Sequence, residues 1–174
     1  MAIYSSFAEI LDYPARNTLQ ERVREIGLQS PEIRAHVKAF QNAIEAKSVG
    51  ELQEAYVNAF DLRPDCTPNL GYHLFGDDGR RGLFLAELKE RMLACGIELG
   101  SELPDHVSLI LRYIDRVEEE RGPMVEDCML PALTRIAAIL DETESPYRHA
   151  LRALLSFLER QQEASREAVQ AIVG

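Results

Sequence analysis

Ser48-Val-Gly-Glu-Leu-Gln-Glu-Ala-Tyr-Val-Asn-Ala-Phe60 carries both a helix start and a helix face. Ser48 followed by Glu51 is a capping box, in which each side chain satisfies the other residue's free backbone N–H. Val49, Leu52, Tyr56, Ala59 and Phe60 then recur at steps of three and four, the spacing that puts apolar side chains on one side of an α-helix. The segment is read as a helix that delivers Tyr56 and Phe60 to its C-terminal end.

The same grammar extends in both directions. Toward the N-terminus, Ser5 or Ser6 caps a short helix bearing Phe7, Ile10 and Leu11 that Pro14 ends, and Thr18 with Glu21 makes a second capping box ahead of Leu19, Val23 and Ile26, with Gly27 as its stop. Ser30-Pro31 opens a helix with the stripe Ile33, Val37, Phe40 and Ile44. Toward the C-terminus, Asp61 to Thr67 reads as an exposed connection, and Thr67-Pro68 opens a helix with Leu70, Leu74 and Phe75 that Gly76-Asp-Asp-Gly79 breaks. From Arg80 the pattern resumes through Leu88, Met92 and Cys95, with Gly96 as a stop. Pro104 begins a further helix through Val107, Ile110, Leu111 and Ile114, Pro131 predicts a kink or restart within 125–140, and Ser145-Pro146 opens the last long helix. Beyond Arg160 the apolar pattern thins, so the last few residues are expected to fray. No stretch alternates with period two. The fold class expected is all-α, a single-domain helical bundle of about seven to nine helices covering residues 1–174.

Composition bounds the function. At 174 residues the chain builds one domain with a sizeable core. Twenty-nine acids against 19 Lys and Arg give a net charge of -10, which disfavours nucleic acid and anionic lipid and favours a basic peptide or basic protein segment as partner. Cys66, Cys95 and Cys128 are an odd, widely spaced set without a Cys-x-x-Cys pair, which suits a reducing compartment, the cytoplasm by default. The N-terminus lacks the charged start and long apolar run of an export signal, and the chain has no run of about 18 apolar residues, so it is not expected to span a membrane.

Chemistry concentrates between Tyr56 and Gly82 and again at Glu102-Leu-Pro-Asp-His106, where aromatics, both signs of charge, two histidines and several glycines gather. Buried charges must be paired and buried polar groups bonded, so this mixture reads as a working surface. Gly76-x-x-Gly79-x-x-Gly82 lacks both the preceding strand and the Lys-Ser/Thr ending of a phosphate loop, and Asp77 and Asp78 would repel a phosphate. It reads as a helix-breaking turn whose Arg80 and Arg81 contact a neighbouring acid. His36, His73, His106 and His149 have no second His or Cys at metal-ligand spacing, so no metal or cofactor is expected. His73 reads either as part of the site or as a partly buried residue bonded to backbone. A carboxylate at Asp105 could raise the pKa of His106 toward neutrality, but two neighbours at a helix start project in different directions and make no catalytic relay. No Ser or Cys is marked as a nucleophile, and Glu118 to Glu120 reads as a solvated face. An interaction module fits these residues better than an enzyme.

Three segments, Leu11-Asp-Tyr-Pro14, Tyr56-Val-Asn-Ala-Phe-Asp61 followed by Tyr72-His-Leu-Phe-Gly-Asp77 and Arg81-Gly82, and Glu102-Leu-Pro-Asp-His106, carry a resemblance to the redox-enzyme maturation chaperones, specifically the NarJ-type delta-subunit branch that assembles respiratory nitrate reductase. The wider family, with its TorD and DmsD branches, has a Glu-x-Pro-x-Asp-His type of motif that Glu102 to His106 approximates with one residue fewer between Pro and Asp. The resemblance implies a cytoplasmic helical chaperone that binds the N-terminal leader of a molybdoenzyme catalytic subunit, holds the apo-enzyme for molybdenum cofactor insertion and delays membrane docking or export. The peptide-binding set is then Tyr56, Phe60, Asp61, Tyr72, His73, Leu74, Phe75, Arg81, Glu102, Pro104, Asp105 and His106. In that reading the apolar groove would take one face of an amphipathic leader, while Asp61, Glu102 and Asp105 pair with its basic residues. Three alternatives stand beside it: a GTP-binding or GTP-hydrolysing maturation factor, a chaperone for another molybdoenzyme such as a selenate, dimethyl sulfoxide or trimethylamine oxide reductase, and a helical adaptor unrelated to molybdenum enzymes. Long swappable helices are also compatible with a homodimer.

Overall fold

The periodic segments all become helices. The computed structural model describes residues 3–15, 19–29 and 31–173, and the caps assigned to Thr18 and Ser30 fall outside them. In chain order the helices are α1 (Ile3–Ile10), α2 (Leu19–Gln29), α3 (Arg34–Ile44), α4 (Val49–Tyr56), α5 (Leu70–Phe75), α6 (Gly79–Ala94), α7 (Val107–Arg116), α8 (Glu118–Pro123), α9 (Leu130–Asp141) and α10 (Tyr147–Val173). α8, a π-helical turn at Met124–Met129 and α9 follow without a break, so the described residues form nine helical rods and no strand.

The capping box at Ser48 is present in full: the Ser48 hydroxyl accepts from the Glu51 N–H at 3.3 Å, and the Glu51 carboxylate accepts from the Ser48 N–H at 2.8 Å. Ser145 likewise starts α10, its hydroxyl accepting from the Tyr147 N–H. Pro131 follows a π-helical turn at Met124–Met129, whose wider i to i−5 winding gives the restart that the proline predicts. Other boundaries differ from expectation. Ser5 and Ser6 do not cap α1 but lie inside it, since the helix already runs from Ile3. Gly27 does not stop α2, which continues to Gln29. Pro104 does not begin α7, which starts at Val107 with His106 as its N-cap. Thr67-Pro68 does not cap α5 but runs extended into a bridge described below. α10 runs Tyr147–Val173, and beyond its midpoint Gln162 donates to the Gly122 carbonyl at 3.0 Å and Arg166 pairs with Glu126.

α1 lies against α2 and α7, while α10 packs between α3 and α9. At the middle of the core, Tyr147 is edge-on to Tyr56 and Phe60 and tilted against Phe40. These contacts draw α4 toward α10 and set its C-terminal end beside α7 and the loop before it. α6 is the exception: it buries only Leu88 and Met92 of its sixteen residues and lies mainly on α5.

Candidate functional site

The two chemically mixed stretches meet through a short backbone clasp. The Leu70 N–H donates to the Asp105 carbonyl at 2.8 Å and the Val107 N–H donates to the Pro68 carbonyl at 2.9 Å, an antiparallel bridge centred on Asn69 and His106. Just upstream, α4 ends in a π-helical turn, Val57–Asp61, closed by Leu62 N–H donating to Val57 C=O at 3.0 Å. That extra residue per turn aims Phe60 and Asp61 at the clasp. Tyr13 arrives from the Leu11-Asp-Tyr-Pro14 segment, which is fixed by Arg112 pairing with Asp12 and by Gln53 donating to the Pro14 carbonyl.

Together these elements surround a cavity of about 470 Å³ lined by Tyr13, Tyr56, Phe60, Asp61, Tyr72, Arg81, Glu102 and His106, with Pro64 and residues 67–69 completing the wall. Of the twelve residues expected at the site, seven line this cavity. Asp105 and Pro104 stand behind the wall, both buried. His73, Leu74 and Phe75 lie elsewhere. His73 bonds the Thr67 carbonyl at 2.8 Å through Nε2, the backbone-bonded alternative, and burial pushes its pKa down. Leu74 packs on the core, and the Phe75 ring lies tilted against Phe84. Sequence reasoning missed Tyr13, Pro64, Thr67, Pro68 and Asn69, although Tyr13 lay within a quoted segment.

Asp105 is fully buried and makes no contact with a bound segment possible in its place; it holds Arg81 instead, accepting from Nε and Nη2 at 3.1 and 3.0 Å. Both bonds fall on Oδ2, and the buried Oδ1 accepts none among the described residues. Burial raises the Asp105 pKa, opposed by Arg81. Arg81 in turn lies 5.7 Å over the Tyr72 ring, so its charge is spent inside the wall. A Cβ at Gly71 would come to 2.7 Å from Asp105 Oδ2 and 3.1 Å from the Phe84 ring. Gly71→Ala is expected to destabilise the chain by about 2 kcal/mol, the usual cost of overpacking, read as a lower urea midpoint with unchanged slope.

His106 behaves against expectation. Asp105 points away from it, and burial depresses its pKa to about 4. Its Nδ1 accepts from the Ser108 N–H at 3.2 Å, which leaves the proton on Nε2, 3.3 Å from the Tyr56 hydroxyl; that hydroxyl donates onward to the Leu11 carbonyl at 3.4 Å. A neutral histidine thus bolts three wall segments together.

The cavity's ionic balance follows. Asp61 and Glu102 have no cationic side chain within 4.0 Å among the described residues, Glu102 reaching only the neutral His106 at that limit. Burial raises both carboxyl pKa values, and for Glu102 the charges of Asp12 and Asp61 add to it. The result is an aromatic-walled socket with free carboxylates at its rim. No three His, Cys, Asp or Glu side chains among the described residues cluster as metal ligands, and no described helix is long and apolar enough to cross a membrane. At 76–82 the chain makes a helix-breaking turn: Gly76 has φ 59°, Asp78 caps α6 and bonds Arg80, and Arg81 pairs with Asp105.

Residues 28–152 match the family described as nitrate reductase delta subunit, a span that includes both halves of the clasp. The chain belongs to the nitrate reductase delta subunit family. A relative from Bacillus subtilis (strain 168), named "Probable nitrate reductase molybdenum cofactor assembly chaperone NarJ", is 28% identical over 177 residues, covering 97% of this chain and 95% of the relative. A second, the "Nitrate reductase-like protein NarX" of Mycobacterium tuberculosis, is 25% identical over 140 residues, covering 75% of this chain but 21% of that longer protein. The delta-subunit match leaves out α1, Tyr13, most of α2 and all of α10 beyond residue 152, whereas the Bacillus relative is similar along nearly the whole chain. Its name is that of an assembly factor, not of a catalyst.

Proposed function

We propose that this delta-subunit family member is a molybdenum cofactor assembly chaperone for a nitrate reductase, and that the aromatic socket receives the N-terminal leader of the catalytic subunit. The observation that carries the reading is the uncompensated acidity of an otherwise aromatic cavity. Tyr13, Tyr56 and Tyr72 offer ring faces and edges to an Arg or Lys side chain, while Asp61 and Glu102 supply the counter-charge. Membership of the family and the name of the Bacillus relative support the client class. Occupied in this way, the leader of an apo-enzyme would be withheld from membrane docking or export until the cofactor is inserted, with the chain working in the cytoplasm.

Titration calorimetry of the full chain with the client's N-terminal leader peptide tests this. Binding is expected to weaken as salt rises, and Asp61→Asn with Glu102→Gln together should weaken it by about tenfold and flatten the salt dependence, because the lost groups are rim charges. Equal affinity in the double variant would remove the socket from the leader's path.

A further inference from the structure

The groove between α2 and α3 is edged by three cations, on a chain whose net charge is -10. It measures about 370 Å³ and is floored by Val23 and Val37. The helices approach closely at Gly27, where a Cβ would meet Val37 Cγ1 at 3.2 Å. Arg34, Val37 and Lys38 share one side of α3 by their i, i+3, i+4 spacing, and Arg24 shares a side of α2 with Gly27. The long stems of these cations wall the groove with methylenes and carry the charge to its edge. Arg24, Arg34 and Lys38 form no ion pair among the described residues, whereas neighbouring Arg22 turns the other way to pair with Glu9 and Glu25.

We infer that this groove docks an acidic amphipathic helix of a partner protein, one large apolar side chain entering between Val23 and Val37 while flanking Glu or Asp residues meet Arg24, Arg34 and Lys38. Charge decides the occupant. On a chain with a net charge of -10, three uncompensated cations around an apolar slot repel nothing acidic locally and select against the basic segment that the aromatic socket suits. The groove and the socket share no residue, so one client can engage both with segments of opposite sign.

The test uses the full isotope-labelled chain and a synthetic amphipathic Leu/Glu peptide of helical period, with a scrambled peptide of the same composition as control. Amide shifts are expected along residues 20–41, with affinity falling as salt rises. Arg34→Glu with Lys38→Glu, both at exposed positions, should cut affinity by at least about tenfold while leaving the unfolding midpoint and leader binding unchanged, and Arg24→Glu alone should act in the same direction. Equal binding of the scrambled peptide, undiminished binding by the charge-reversed chain, or shifts centred on Tyr56 and Tyr72 would overturn the assignment. So would binding to phosphatidylglycerol vesicles without binding to the peptide, or self-association that the charge reversals abolish.

Discussion

Arg81→Leu should lower the unfolding free energy at pH 7 by about 3 kcal/mol, near the lower end of what breaking a buried ion pair costs. Arg81 keeps 20% side-chain exposure, but Asp105 has none, so the carboxylate left behind has nowhere to find water. It escapes by binding a proton, which limits the loss and gives it a pH signature. An acid whose folded-state pKa lies above its unfolded value is fully tolerated below the unfolded pKa and destabilises as pH rises through the folded one. Burial already sets Asp105 in that direction, and removing Arg81 takes away the main opposing charge. The deficit of Arg81→Leu should therefore shrink on acidification, and adding Asp105→Asn should recover most of it at pH 7. Urea titrations of both variants between pH 5 and 7 measure this; a deficit that does not change with pH would mean that the pair is not what Arg81 contributes.

The second large effect runs the other way with pH. His106 is neutral when folded, with its pKa pushed down to about 4 against an ordinary value of 6.5. A histidine with a depressed pKa contributes stability that is present above the unfolded value and is lost as pH falls through the folded value. From pH 6.5 to pH 4 that loss approaches about 3 kcal/mol, at 1.36 kcal/mol per unit. Asp61, Glu102 and Asp105 have raised pKa values and oppose the trend over part of this range, so wild-type stability alone does not isolate it. The difference between the wild type and His106→Asn does, since the acids are common to both chains. That difference should be largest at pH 7 and close toward pH 4, and a difference independent of pH would show that His106 does not stay neutral in the fold.

The helices were legible because their signals are local. Ser48 and Glu51 sit three residues apart, and the bonds they make depend on nothing else. The site was legible as a neighbourhood but not as a geometry. Thr67-Pro68 has the form of a helix start, and only residues 104–107, far along the chain, turn it into half of a bridge. Asp105 and His106 are adjacent in sequence and, as expected at a helix start, project in different directions, one side chain going to Arg81 and the other to Tyr56. Burial reversed the direction expected for His106, and burial is a tertiary quantity. Leu74 and Phe75 share the aromatic and aliphatic character of the wall residues but sit on another side of a six-residue helix. The α2–α3 groove was hidden because its three cations come from two helices and appear in sequence as ordinary solvated charges.

The π-helical turn after Tyr56 makes the socket depend on a count. A chain one residue shorter within 57–61 would close the same Leu62 N–H to Val57 C=O bond as an ordinary α-turn and lose no conspicuous side chain, yet the side chains between those two residues would be spread around a narrower turn, shifting Phe60 and Asp61 relative to Tyr72 and Glu102. Among relatives this divergent, a single-position gap at this point would therefore say more about whether the receptor survives than many substitutions on either side of it.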